Sequence, residues 1–196
     1  MKPFSESCVQ NREPILAVLK PLLEDAQTLL EIGSGTGQHA VYFAPELPHL
    51  RWQTSDVAEH LPGIRQWLAE AALPNLPEPL QLDVLQPHWP DVNVDAVFTA
   101  NSLHIMNWAM VQACFAGVGE LLQPGGRFIA YGPFNYGGQY TSPSNARFDQ
   151  WLARQGRGSA IRHFEDLQQL AQAAGLQLYE DFAMPVNNRI LCWEKQ

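Results

Sequence analysis

Residues Leu29–Ala40 read LLEIGSGTGQHA: an apolar run, an acid, then glycine at three alternate positions, Gly33, Gly35 and Gly37. Glycine loses the most backbone freedom on folding, so three at this spacing mark a main chain that something must approach closely. A glycine-rich turn between a first strand and a helix is the cofactor loop of nucleotide-binding α/β proteins, where an acid ending the second strand takes a ribose hydroxyl. Asp56 lies about 20 residues on, where that acid is expected. Two cofactors suit the loop. Gly33-Gly35-Gly37 is the glycine pattern of S-adenosylmethionine (SAM) enzymes, and Gly35-x-Gly37-x-x-Ala40 satisfies the dinucleotide pattern.

The rest of the chain alternates helical and strand-like periods. The stretch EPILAVLKPLLEDA carries a helical apolar stripe, with Pro14 at a first helical position and Pro21 as a kink. TLLEIG, RWQTSD, PLQLDV, VDAVFTAN and RFIAYG read as strands. Helices fall between them, at about Gln38–Phe43, IRQWLAEAAL and WAMVQACFAGVGELL, the last ended by QPGG. Pro133–Ala160 shows little periodicity and is rich in Gly, Ser, Asn, Tyr and Pro, the mark of a functional or flexible insert. A helix over Phe164–Ala174 and the strands LQLYEDFAM and RILCWEK follow. The short PVNN turn makes those strands antiparallel. The expected fold is an α/β sandwich: a Rossmann-like, mostly parallel sheet with an antiparallel hairpin at the C-terminus.

Four features favour SAM over a dinucleotide. Glu31 precedes the first glycine by two residues. Asp83 ends the third strand, with Val84 after it, where it could accept from an adenine amino group. LLQPGGRFIAYG precedes the fifth strand, and the terminal hairpin supplies an antiparallel edge. No tyrosine is followed four residues later by lysine, as a small nicotinamide reductase would require, since the only lysines are Lys2, Lys20 and Lys195. The chain resembles the class I SAM-dependent methyltransferases and, more narrowly, the methyltransferase-like protein 26 family. The resemblance rests on NREPIL, EIGSGTGQHAVYFA, NSLHIMNW, PGGRFIAYGPF, TSPSNARFD and MPVNN, which span nearly the whole chain. Thr54 and His163 depart from that family's pattern, which would place proline and an acid there.

That resemblance implies a seven-stranded class I methyltransferase sandwich forming one domain over residues 1–196. It also implies an N-terminal lid over 1–13 and a substrate-side insert over 133–160. Cofactor contacts are expected from Asn11, Arg12, Glu31, Gly33, Ser34, Gly35, Thr36, Gly37, Asp56, Asp83, Val84, Asn101 and Ser102. His104 and Tyr131, at the ends of the fourth and fifth strands, are the candidate catalytic residues. Bland roles compete at several positions: Thr36 and Asp56 suit helix caps, Asp83 a turn, and Asn11 and Arg12 an exposed helix start. Arg147, Arg154, Arg157 and Arg162 either form a solvated face or make the insert locally positive for an anionic substrate.

The formal charge of −8 argues against general nucleic-acid binding. No run of 18 apolar residues predicts a membrane span. The first residues lack the apolar core of a signal peptide. Three scattered cysteines, Cys8, Cys114 and Cys192, fit reduced thiols in the cytoplasm. No His, Cys or acid spacing suggests a metal. The expectation is a metal-independent SAM methyltransferase acting on a small molecule. A SAM-binding protein without catalysis and a nicotinamide-dependent reductase are the rivals.

Overall fold

The computed structural model describes residues 2–196. A helix α1 (Glu6–Leu22) leads into strand β1 (Thr28–Ile32), helix α2 (Gln38–Phe43), β2 (Arg51–Asp56), α3 (Leu61–Ala71) and β3 (Leu80–Gln81). Then come β4 (Ala96–Ala100), α4 (Trp108–Leu121), β5 (Arg127–Gly132), β6 (Phe134–Asn135) and α5 (Pro143–Arg154). The chain ends with β7 (Arg162–His163), α6 (Phe164–Ala173), β8 (Leu176–Ala183) and β9 (Arg189–Lys195). Seven strands form one sheet in the order β3-β2-β1-β4-β5-β9-β8, and β6 pairs with β7 separately. β9 runs antiparallel to both neighbours, pairing Arg127 with Glu194 and Gly132 with Arg189 across β5.

Successive residues of a strand face opposite sides, and this sheet uses both. Leu30, Ile32, Val97, Phe128, Ala130, Leu191 and Trp193 point to one core, under α4 and α6. Leu29, Ala96, Phe98, Ile129, Tyr131, Ile190 and Cys192 point to the other, under α1 and α2. That two-sided burial is why the central strands read as unbroken apolar runs. Phe115, Phe128 and Trp193 meet with ring centroids 5.2–5.6 Å apart, and each fully buried ring of this kind contributes roughly 1.5–3 kcal/mol.

Three expectations need correction. α1 starts at Glu6, two turns before Pro14, so both prolines lie inside the helix. Most of the expected 1–13 lid is therefore the first part of α1. The third strand pairs only at Leu80 and Gln81, and Asp83 lies beyond it in a turn. The 133–160 insert is not irregular throughout. Ser142 accepts from the Asn145 amide as an N-cap, Pro143 occupies the first turn, and twelve helical residues follow.

Candidate functional site

In an open α/β sheet, ligands bind outside the carboxyl ends of the strands where the strand order reverses. Here β1 lies between β2 and β4, so the loops after β1 and β4 face each other across that point. A cavity of about 890 Å³ opens there, walled by Gly33–Thr36, Asp56, Val57, Leu82, Asp83, Val84, Asn101 and Ser102.

The three glycines serve three purposes, and all have positive φ. A Cβ on Gly33 would stand 2.6 Å from Ser102 Oγ, so Gly33 lets the β4 loop approach. A Cβ on Gly37 would press on the Ile64 backbone at 3.3 Å, so Gly37 lets α3 approach. A Cβ on Gly35 would meet no protein atom within 4 Å. The bareness of Gly35 is spent on the cavity, not on packing.

The loop is held from below. Glu31, 2% exposed, accepts from Ser34 Oγ at 2.9 Å and from Trp52 Nε1 at 3.0 Å. Burial, opposed by those two donors, lifts its carboxyl to about 7. Glu31 does not reach the cavity wall, so its part is to brace Ser34. Ser34 also exchanges hydrogen bonds with Ser55, its amide donating to Ser55 O and its Oγ accepting from the Ser55 amide.

Asp56 is 7% exposed and lines the cavity. One oxygen accepts from the Gly35 amide at 2.7 Å; the other accepts from the Val57 amide and His60 Nδ1, both at 2.8 Å. A carboxylate has about four lone-pair sites, so capacity for a ligand hydroxyl remains. Asp83 also lines the cavity while accepting from the Leu85 amide, so the turn role and a ligand role coexist. Thr36 Oγ1, just ahead of the N-cap Gly37, accepts from the Gln38 amide and donates to Gln38 Oε1. Asn101 adopts φ 57° with its amide bonded to Tyr131 O, which turns its side chain and Ser102 to the cavity.

Besides Glu31 and Gly37, four expected residues stand apart from the cavity wall. Asn11 Oδ1 lies 2.7 Å from His39 Nε2, and Arg12 stacks on the Tyr42 ring at 4.3 Å with its buried Nε unpaired among the described residues. His104 packs edge-on against Phe148; burial, reinforced by the Arg162 charge, depresses its pKa to about 4. Tyr131 accepts from Asn188 Nδ2 at 2.9 Å. Of the insert, only Arg157 reaches the wall. Arg162 is buried and donates to the carbonyls of Leu103, Met106 and Gly158, so it pins the β4–α4 loop and belongs to no positive surface.

Sequence reasoning named the segment over the cavity, the expected 1–13 lid, but not its lining residues, and it missed the apolar end. Pro3, Ser5, Ser7 and Cys8 cover the cavity, secured where Ser5 and Gln38 exchange backbone and side-chain bonds and where Trp67 Nε1 donates to Pro3 O at 2.7 Å. His39, the second residue of α2, joins the wall, its pKa lowered to about 4 by burial. Ile105, Met106 and Met110 close the end beside Val84. The signal for these three was the apolar residues after NSLH.

The MPVNN turn is strained: Val186 and Asn187 both have positive φ, at 59° and 58°. Such conformations cost on the order of 1–3 kcal/mol each and persist only where the surroundings enforce them. Asn145 Nδ2 donates to Asn187 O at 3.4 Å, and the Met184 amide donates to Asn188 O at 3.0 Å. Among the described residues, no three His, Cys, Asp or Glu side chains converge on a metal position, and no helix is long and apolar enough to cross a membrane.

A family model described as a protein of unknown function (DUF938) matches residues 2–195. Among solved structures, an O-methyltransferase family protein from Burkholderia thailandensis is 15% identical, with a TM-score of 0.85 over 97% of this chain and 58% of that one. The S-adenosylmethionine-dependent methyltransferase SibL in its apo form is 22% identical, with a TM-score of 0.81 over 96% of this chain and 55% of that one. Human N-acetylserotonin methyltransferase in complex with SAM is 14% identical, with a TM-score of 0.83 over 97% and 53%. The chain thus spans little more than half the length of these proteins. At these identities the likeness establishes the class I methyltransferase fold.

Proposed function

The chain belongs to the DUF938 family of proteins of unknown function, and from that premise we propose that it is a SAM-dependent methyltransferase acting on a small molecule. One observation carries this: the open space above Gly35, at the reversal of the sheet, with the Asp56 carboxylate bonded to the Gly35 amide. A cofactor with a ribose and a close-lying chain suits that cradle. The fold of the methyltransferase neighbours adds support.

When bound, SAM supplies an already activated methyl group. The protein's part is to orient it and exclude water. Gly33–Gly37 and Ser34 offer a bare main chain to the amino-acid end. Asp56 takes the ribose hydroxyls. Asp83 and Val84, with Ile105, Met106 and Met110, suit a flat base with one polar edge. Arg12 retains donor capacity for a carboxylate. We read residues 1–196 as one metal-independent, cytoplasmic domain. We also place it beside the methyltransferase-like protein 26 family, since TSPSNARFD and MPVNN, the segments that suggested that family, are bonded to each other through Asn145 and Asn187.

Calorimetry with SAM and with NADH tests the cofactor, and turnover of labelled SAM against a metabolite extract tests catalysis. Binding of NADH alone would overturn the reading. SAM binding without turnover in any extract would reduce it to a SAM-binding protein. Asp56→Asn is expected to weaken SAM and S-adenosylhomocysteine alike by about 1.5–3 kcal/mol, the worth of a hydrogen bond to a charged group. A loss of turnover at unchanged affinity would move Asp56 from binding to chemistry.

A further inference from the structure

We propose that the 133–160 insert takes part in cofactor binding: Arg157 lays its guanidinium over the adenine base and closes that end of the cavity. The inference deepens the methyltransferase reading and rests on it.

Among the described residues, the cavity wall holds one lysine or arginine, Arg157. Its loop fixes its place. α5 ends at Arg154, and the chain then turns at Gly156 and Gly158, with φ 66° and 75°, so Arg157 stands between two left-handed glycines. The residues after it are fastened to the β4–α4 loop. Ser159 Oγ donates to Ile105 O at 2.6 Å, the Ala160 amide to His104 O at 3.0 Å, and Arg162 Nη2 to Gly158 O at 3.0 Å. A Cβ on Gly158 would stand 3.0 Å from Asn107 Cβ, so the glycine lets the two loops meet. A loop held this closely to residues 104–107 carries Arg157 to the end of the cavity that Ile105 and Met106 form.

That end suits a flat base. Leu82, Val84 and Met106 belong to one apolar cluster with Met110 packed against it, and all four line the cavity. A base lying on them hides one face and turns the other to the opening, where Ile105 is 51% exposed. Asp83, in the same wall, takes the exocyclic amine at the base edge. A π face is then left uncovered, and guanidinium planes stack on aromatic faces and on bases. The chain makes the same contact elsewhere, Arg12 over Tyr42 at 4.3 Å and Arg127 over Tyr179 at 4.6 Å. No carboxylate pairs with Arg157 among the described residues, so no ion pair holds it away from the base. Charge favours the base over an anion as its partner. Asp56, Glu59 and Asp83 share the wall and repel an anion, whereas adenine is neutral.

The test is calorimetry on the full-length protein with S-adenosylhomocysteine and with 5′-methylthioadenosine, which keeps the adenosine and lacks the amino-acid chain. Arg157 is exposed, so its variants keep the fold, which the far-UV spectrum checks. Arg157→Ala is expected to weaken both ligands by the same factor, about five- to thirtyfold. Arg157→Tyr, flat but uncharged, is expected to bind both within about threefold of the parent, since base–ring stacking replaces the guanidinium. A loss for S-adenosylhomocysteine alone would make Arg157 the partner of the amino-acid carboxylate and overturn the proposal. So would unchanged binding of both ligands by Arg157→Ala, or an Arg157→Tyr as weak as Arg157→Ala. In each of those cases the methyltransferase reading stands. Arg157-dependent binding of 5′-methylthioadenosine by a parent that refuses S-adenosylhomocysteine would leave the base site standing and overturn the methyltransferase reading. A parent that bound neither would overturn both.

Discussion

Gly35→Val is expected to abolish SAM binding, a loss of a hundredfold or more, while the fold survives. The substituted carbons would meet no protein atom within 4 Å, so packing does not oppose them; they would occupy the space reserved above the loop. The residue sits at φ +59°, and valine there costs roughly 1–3 kcal/mol of stability. Gly35→Asn separates the two effects, because asparagine tolerates the left-handed region while projecting the same Cβ. Gly33→Ala makes the opposite case. Its Cβ would stand 2.6 Å from Ser102 Oγ, so it should destabilise the fold before affecting ligand selectively. Calorimetry with SAM and urea unfolding, run on all three, decide. If Gly35→Asn bound SAM as the parent does, the cofactor would have to lie elsewhere in the cavity.

The glycine loop was legible because its constraint is local. A close approach to backbone demands glycine at the residue itself, and the apolar run before it demands a strand. Asp56 was legible for the same reason, through its fixed distance from the loop. The first turns of α1 were not. Pro14 reads as a helix start, yet Glu6–Glu13 is helical because its inner side covers the cavity and Ser5 is secured by Gln38, a contact 33 residues away in sequence. α5 was hidden among Gly, Ser and Asn, although Ser142, Pro143 and the spacing of Phe148, Trp151 and Leu152 carry a helix start and one apolar side. Arg162 shows the limit of charge reading: four arginines close in sequence suggested a common surface, but one of them is buried among carbonyls. The Tyr131–Asn188 hydrogen bond joins β5 to the final turn, and no local pattern announces it.

Acid should unfold this protein through two histidines, with a buried carboxyl resisting. His39 and His104 are held neutral by burial, their pKa values lowered from 6.5 to about 4. Between those values the unfolded chain binds protons that the folded chain refuses. Each histidine therefore removes stability as pH falls through this window, by about 3 kcal/mol when the fall is complete. Glu31 has the opposite sign. Its carboxyl, raised from 4.5 to about 7 mainly by burial, keeps its proton in the fold where the unfolded chain loses it. Its contribution is present below about 4.5 and is lost as pH rises to about 7, again about 3 kcal/mol. Two protons oppose one from about pH 6.5 down to 4.5, so the net effect is destabilisation on acidification, with maximum stability near pH 7. Glu31→Gln removes the opposing group while its amide oxygen can still accept from Trp52 and Ser34. It should raise stability at pH 8 and steepen the acid loss. His104→Gln leaves one proton against one and should nearly abolish the acid slope between about pH 6.5 and 4.5, even if it lowers stability at neutral pH. Urea midpoints at pH 8, 7, 6 and 5 for the three proteins read this directly. An acid slope unchanged by His104→Gln would mean that the imidazole is solvated when protonated, and that the Phe148 contact over it opens before the fold does.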